Sequence, residues 1–240
     1  MRNKTQFLVV ISGILLSIFG VWLSIHSIQT ATVTASPTDI ESLTPTAPSP
    51  VACGNTSLYG FESGEMGWKP QSYEGSQAVQ QVRQSTDQAK SGISSLELQL
   101  ELNSQNDNRA TGETFVDLRY DPPAGLKAPL DLEGVPITIW IYAPGAVAGK
   151  RETPNGVQVF VKDRNFKSEY GTWFNLTNGT DRWIPITLTP TKDPPSSGEM
   201  QPEFDPGQII LIGIKVETGK EAATTYIGPM WIDDICWEMP

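Results

Sequence analysis

Met230-Trp231-Ile232-Asp233-Asp234-Ile235-Cys236-Trp237-Glu238 is the stretch on which the reading of this chain turns. Apolar and polar residues alternate in it at the period of a strand. Two carboxylates stand side by side at its centre, and it holds one of only two cysteines. The other, Cys53, lies just before the first strand-like run, Leu58 to Glu62. Pairing of these two ends closes a domain by its own termini. Neighbours on a regular strand face opposite ways, so Asp233 is expected to share a face with Ile235 and Trp237, and Asp234 to face away.

The same period runs through the chain upstream of this stretch. Leu96, Leu98, Leu100 and Leu102 alternate with Glu97, Gln99 and Glu101. Val116, Leu118 and Tyr120 stand opposite Phe115, Asp117 and Arg119. Ile137 to Tyr142 and Gly156 to Lys162 repeat the pattern, and Ile210, Ile212, Ile214 and Val216 are expected on a common face. Weaker runs are Ala78–Gln84, Tyr170–Leu176 and Trp183–Leu188. Turn formers separate them, such as Asp121-Pro122-Pro123 and Ala143-Pro144-Gly145. No segment carries a helical stripe. Roughly nine or ten strands, each burying one face, specify an all-β fold, a two-sheet antiparallel sandwich.

Residues 7–25 contain no charged side chain, and Arg2 and Lys4 precede them. The length matches the ~20 residues that cross a bilayer as a helix, and the flanking charges place the C-terminal side outside. A long signal peptide cut near Val33-Thr34-Ala35 is the competing reading; the apolar run exceeds the usual signal core, which favours an uncleaved anchor. Residues 1–29 are therefore read as a transmembrane segment. Residues 30–52, rich in Thr, Pro and Ser, form a disordered linker, and residues 53–240 the exported domain. Two cysteines in an exported domain suggest one disulfide, Cys53–Cys236. The net charge of −10 argues against nucleic acid and anionic lipid, and is compatible with calcium.

Phe61-Glu62-Ser63-Gly64-Glu65-Met66-Gly67-Trp68, then Lys90-Ser91-Gly92-Ile93-Ser94-Ser95-Leu96, then Trp231-Ile232-Asp233-Asp234-Ile235 resemble, in order, the β-jelly-roll carbohydrate-binding modules of the galactose-binding-like superfamily. The resemblance covers nearly the whole exported domain and implies a jelly-roll sandwich, a glycan partner and a structural calcium ion. Carried over by motif, Glu62 and Asp233 are the side-chain ligands of that ion, with backbone carbonyls near Lys90 completing the shell. Exposed edge charges are the plainer reading of the aspartates.

With the alternation as read, the outward residues of the middle strands are Trp140, Tyr142, Gln158, Phe160, Lys162, Trp173 and Asn175. Sugar rings stack their C–H faces on aromatic planes, and their hydroxyls need amide or charged partners; this set supplies both. The alternative is that loops cover some of these aromatics as secondary core. Trp68 reads as a structural anchor. The sole histidine, His26, lies at the end of the apolar segment, and the carboxylate pattern of jelly-roll glycosidases is missing, so a non-enzymatic domain is expected. A structural or protein-interaction domain of the cell envelope is the rival reading.

Overall fold

Leu96, Leu98, Leu100 and Leu102 are all fully buried, and the strand that carries them pairs on both sides. A period of two allows this in only one register, since a slip of one residue would turn every leucine to solvent. The computed structural model describes residues 57–71, 77–103, 109–193, 198–219 and 225–237. Its strands begin with β1 (Lys69–Pro70), β2 (Val79–Ser85), β3 (Ser95–Asn103), β4 (Thr111–Asp117), β5 (Ile137–Tyr142) and β6 (Gly156–Asp163). They continue with β7 (Ser168–Tyr170), β8 (Phe174–Asn175), β9 (Trp183–Leu188), β10 (Glu199–Met200), β11 (Ile209–Glu217) and β12 (Thr225–Trp237).

Two antiparallel sheets result. One has the order β1-β4-β11-β6-β7-β10, with β8 also on β6; the other has the order β2-β3-β12-β5-β9. Their inner faces meet in one core, to which β5 contributes Ile137, Ile139 and Ile141, β6 contributes Val157, Val159 and Val161, and β11 contributes Ile212, Ile214 and Val216. This is the expected all-β, two-sheet antiparallel sandwich. The N-terminal apolar segment, the linker, their boundaries, His26 and Cys53 lie outside the described residues. Among the described residues no helix is long and apolar enough to cross a membrane.

The first described residues meet the last described strand. The Leu58 amide donates to the Ile235 carbonyl at 2.9 Å, and the Ile235 amide donates to Tyr59 at 3.2 Å. Trp68 anchors this junction, edge-on to Tyr59 and Phe61 with ring centroids 6.1 Å away from each.

Among the described residues, three breaks in the alternation each correct an expectation. In β12 the register with β5 shifts between Asp233 and Cys236, and Asp234 takes a left-handed φ of 45°. This bulge inserts one extra residue, so Asp233 faces outward beside Trp140 while Ile235 and Trp237 point into the core. A second shift, between Ile209 and Leu211, puts Ile209 in the core and moves Ile210 to a small outer cluster with Phe160 and Leu211. In β4 the strand stops at Asp117, whose carbonyl accepts from the amides of Tyr120 and Asp121, so Tyr120 projects into solvent.

Leu98→Ala empties a fully buried position at the centre of β3. It should cost about 2–5 kcal/mol of unfolding free energy in urea titration.

Candidate functional site

Outward residues of adjacent strands in the larger sheet share one surface. Across β4, β11 and β6 the register lines up Glu113, Lys215 and Gln158, and one step along it lines up Phe115, Gly213 and Phe160. Gly213 is where the strand lacks a side chain, and Phe160 fills the gap: a Cβ there would lie 2.4 Å from its ring. Phe160 is consequently fully buried. Tyr170 of β7 rests on it, with ring centroids 5.3 Å apart. Its hydroxyl reaches Glu113 on the far side of β11 at 2.8 Å. The tyrosine ring is thus laid across the sheet and held at both ends.

Trp173 is placed by the same device. A Cβ on Gly156 would come within 2.2 Å of the indole, so only glycine lets the ring lie against the β6 backbone. The indole N–H donates to Asn175 Oδ1 at 2.7 Å, which sets the ring's orientation. Arg109, Gln158, Trp173, Asn175, Lys215 and Glu217 line a cleft of about 450 Å³ at this end of the sheet. Its cations are paired with its own carboxylates. Lys215 and Arg109 both reach Glu217, at 2.9 and 3.1 Å; beyond the cleft on the same sheet, Lys162 lies 3.6 Å from Glu113. The Gln158 amide donates to the Gly171 carbonyl at 2.8 Å.

The seven residues expected to share a face therefore divide. Gln158, Lys162, Trp173 and Asn175 lie on the outer surface of the larger sheet, with Phe160 as its floor. Trp140 and Tyr142 lie on the outer surface of the other sheet, where Tyr142 packs against Trp183 and Trp231 at 5.7 and 5.8 Å. The reason is topological: the connection after Tyr142 crosses the sandwich, so β5 and β6 are neighbours in sequence and not in space. Tyr170, Glu113, Lys215, Glu217 and Arg109 were absent from the expected set. The readable signal for the aromatic positions was a pair of strand glycines, Gly156 at the start of β6 and Gly213 within β11, which mark close approach of a bulky group.

At the other expected site, the segment Lys90–Ser94 is drawn onto carboxylates from both ends of the domain. Glu62 Oε1 accepts from the amides of Ile93 and Ser94 at 3.0 and 3.1 Å. Asp233 Oδ2 accepts from the amides of Lys90 and Ser91 at 2.8 and 3.3 Å. Asp234, expected to face away, instead accepts from Ser91 Oγ at 2.7 Å, because the bulge turns it toward the same segment. Lys90 sends its ammonium over Trp140 at 4.4 Å and to within 3.9 Å of Asp234. Among the described residues no cationic side chain pairs with the fully buried Asp233, and no group of three acidic, His or Cys side chains converges on a point. A buried carboxylate without a counter-ion, beside a second carboxylate, fits a hard cation in donor type. Burial pushes the Asp233 carboxyl up from 3.8 to about 6, against the pull of its amide donors.

No family model matches the chain, and no curated protein matches it. Among solved structures it is similar to a carbohydrate-binding module from the beta-sandwich super family, studied for promiscuous specificity. The TM-score is 0.52 at 22% identity, over 78% of this chain and 63% of that one. The chain thus spans less than two thirds of that structure's length. It is also similar to Caldicellulosiruptor saccharolyticus CBM27-1 in complex with mannohexaose, with TM-score 0.47 and 16% identity over 71% of this chain and 88% of that one. A xylan-binding domain from CBM 22 aligns with TM-score 0.42 and 14% identity, over 75% and 92% of the respective chains. The chain has the β-sandwich fold of carbohydrate-binding modules.

Because folded Asp233 holds its proton more tightly than the unfolded chain, its contribution to stability is complete below about pH 3.8. It is lost as pH rises through about 6. Glu169, pushed by burial up to about 7, contributes with the same sign. In chelator, melting curves of the native protein and of Asp233→Asn should therefore differ in slope between these two pH values, the variant falling less. Parallel curves would mean that Asp233 is not buried.

Proposed function

We propose that this domain is a non-catalytic polysaccharide-binding module, held outside the cytoplasm by the N-terminal apolar segment and linker. The observation that carries this reading is Trp173, fixed over Gly156 and beside the polar row of Gln158, Lys215 and Glu217. An aromatic plane gives a pyranose ring its apolar contact, and the amide, ammonium and carboxylate groups around it suit hydroxyls. Both cations of the cleft lining, Arg109 and Lys215, lie against Glu217, and Glu152 and Glu199 also line it, so the site suits a ligand without a negative charge. The fold and the mannohexaose- and xylan-binding neighbours are in keeping with this reading, but the cleft bears its weight.

Affinity electrophoresis in gels containing xylan, mannan, β-glucan or galactan tests it. The domain should be retarded in at least one, and Trp173→Ala should weaken retardation by roughly tenfold or more. Trp140→Ala, on the opposite sheet, should leave it unchanged. No retardation in any gel, with or without calcium, would favour a structural or protein-interaction domain of the cell envelope.

Two stabilising elements belong to the proposal. Calcium is assigned to the carboxylates of Glu62 and Asp233, with carbonyls of the segment around Lys90 as further ligands. The ion would supply the charge that buried Asp233 lacks. A Cys53–Cys236 disulfide is in keeping with the buried position of Cys236 and the absence of a free cysteine among the described residues. Chelation and reduction, applied separately, should each lower the melting temperature. For calcium at a hundredfold excess over its dissociation constant the loss is about 2.7 kcal/mol. Unchanged melting in chelator would remove the ion, and unchanged melting in reductant the disulfide.

A further inference from the structure

We infer that Tyr120, Arg119 and Phe166 form a second sugar-stacking subsite at the far end of the same groove, so that the ligand is an extended run of polysaccharide. This rests on the cleft reading above.

Core packing gives no reason for these side chains. Tyr120 and Phe166 are 74% and 56% exposed, among the few large apolar residues so exposed in the described part of the chain. Both rings flank one guanidinium, with Arg119 Cζ 5.5 Å from the Tyr120 centroid and 5.2 Å from that of Phe166. Asp117 grips that guanidinium at two points, 2.9 and 2.7 Å. The cation is therefore already oriented, and no ligand has to pay the entropy of ordering it. Phe166 also holds a left-handed φ of 60°. That conformation costs little for Gly or Asn and more for a bulky aromatic, and such strain gathers at ligand sites.

The position is on the same outer face of the larger sheet as the cleft. Asp117 stands opposite Leu211, which stands opposite Lys162, on the outer side of the sheet that carries Trp173. Glu217 marks the Trp173 end, since it pairs with Gly156. From Glu217 to Leu211 the extended strand covers about 20 Å, several sugar rings in length. Half-buried Tyr170 and Phe115 lie between the two ends and continue the apolar track. Trp173 at one end and the Tyr120–Arg119–Phe166 clamp at the other would hold a chain running along the strands.

Isothermal titration with di- and hexasaccharides of the xylan, mannan, β-glucan and galactan series separates the possibilities. The hexasaccharide of at least one series should bind much more tightly than its disaccharide. The double variant Tyr120→Ala/Phe166→Ala should lose roughly tenfold in hexasaccharide affinity, with the disaccharide affinity and melting temperature unchanged. Phe166→Asn, which relieves the left-handed strain, should lower hexasaccharide affinity without lowering the melting temperature. Native hexasaccharide affinity in both variants, with Trp173→Ala inactive, would overturn the second subsite and leave the cleft standing. Failure of the unaltered domain to bind any hexasaccharide would overturn the cleft reading, and this inference with it.

Discussion

Strand β12 has to bury Met230, Ile232, Ile235 and Trp237 on one side, and a strictly alternating strand cannot do so. Two of these residues are even-numbered and two are odd, so the parity must change between Ile232 and Ile235. The bulge at Asp233–Asp234 makes the change, at the cost of a left-handed aspartate. Its consequences spread through the domain. Ile235 is presented to the backbone of Leu58 and Tyr59, so the chain's first described residues close on its last strand. Trp237 reaches the aromatic junction of Tyr59. Both carboxylates turn toward the Lys90–Ser94 segment and are capped by its amides and by the Ser91 hydroxyl. A single inserted residue thus links core packing, chain closure and the candidate ion site.

The groove on the other sheet follows from a different economy of space. Outward faces of a sandwich are free to carry chemistry because the inward faces already bury the isoleucines and valines. Large rings can lie flat on a sheet only where the strand beneath has no side chain. Gly213 admits Phe160, which supports Tyr170, and Gly156 admits Trp173. Glu113 then holds the Tyr170 hydroxyl and neighbours Lys162. Because Glu113 is almost fully buried, these contacts are made in a setting of low dielectric, where they orient the ring more firmly than exposed contacts would. Arg109, Lys215 and Glu217 hold one another, Asn175 holds Trp173, and Gln158 is held by the Gly171 carbonyl, so the geometry of these groups is set before any ligand arrives.

The architecture was legible in the sequence because a strand's period of two is a local property. The four leucines of β3, the apolar sides of β5 and β6, and the meeting of Leu58–Tyr59 with the last strand all agree with that reading. It failed where locality failed. The bulges at Ile210 and Asp234 change the parity of β11 and β12 part-way along, and a reading that assumes strict alternation passes over them. Tyr120 left its face because the β4 strand ended early in a turn on the Asp117 carbonyl.

What the sequence by itself determined is a sandwich of alternating strands, the candidate residue types, and the pairing of its ends. Those depend on side-chain polarity and on spacing along one strand. Which outward residues share a surface was decided only in three dimensions. Trp140 and Phe160 obey the same alternation, yet they lie on opposite outer faces because the chain crosses the sandwich between them. Tyr170 meets Glu113 only because β6 and β11 bring their strands into one sheet. Sheet membership is set by long-range pairing, and a local period carries no record of it.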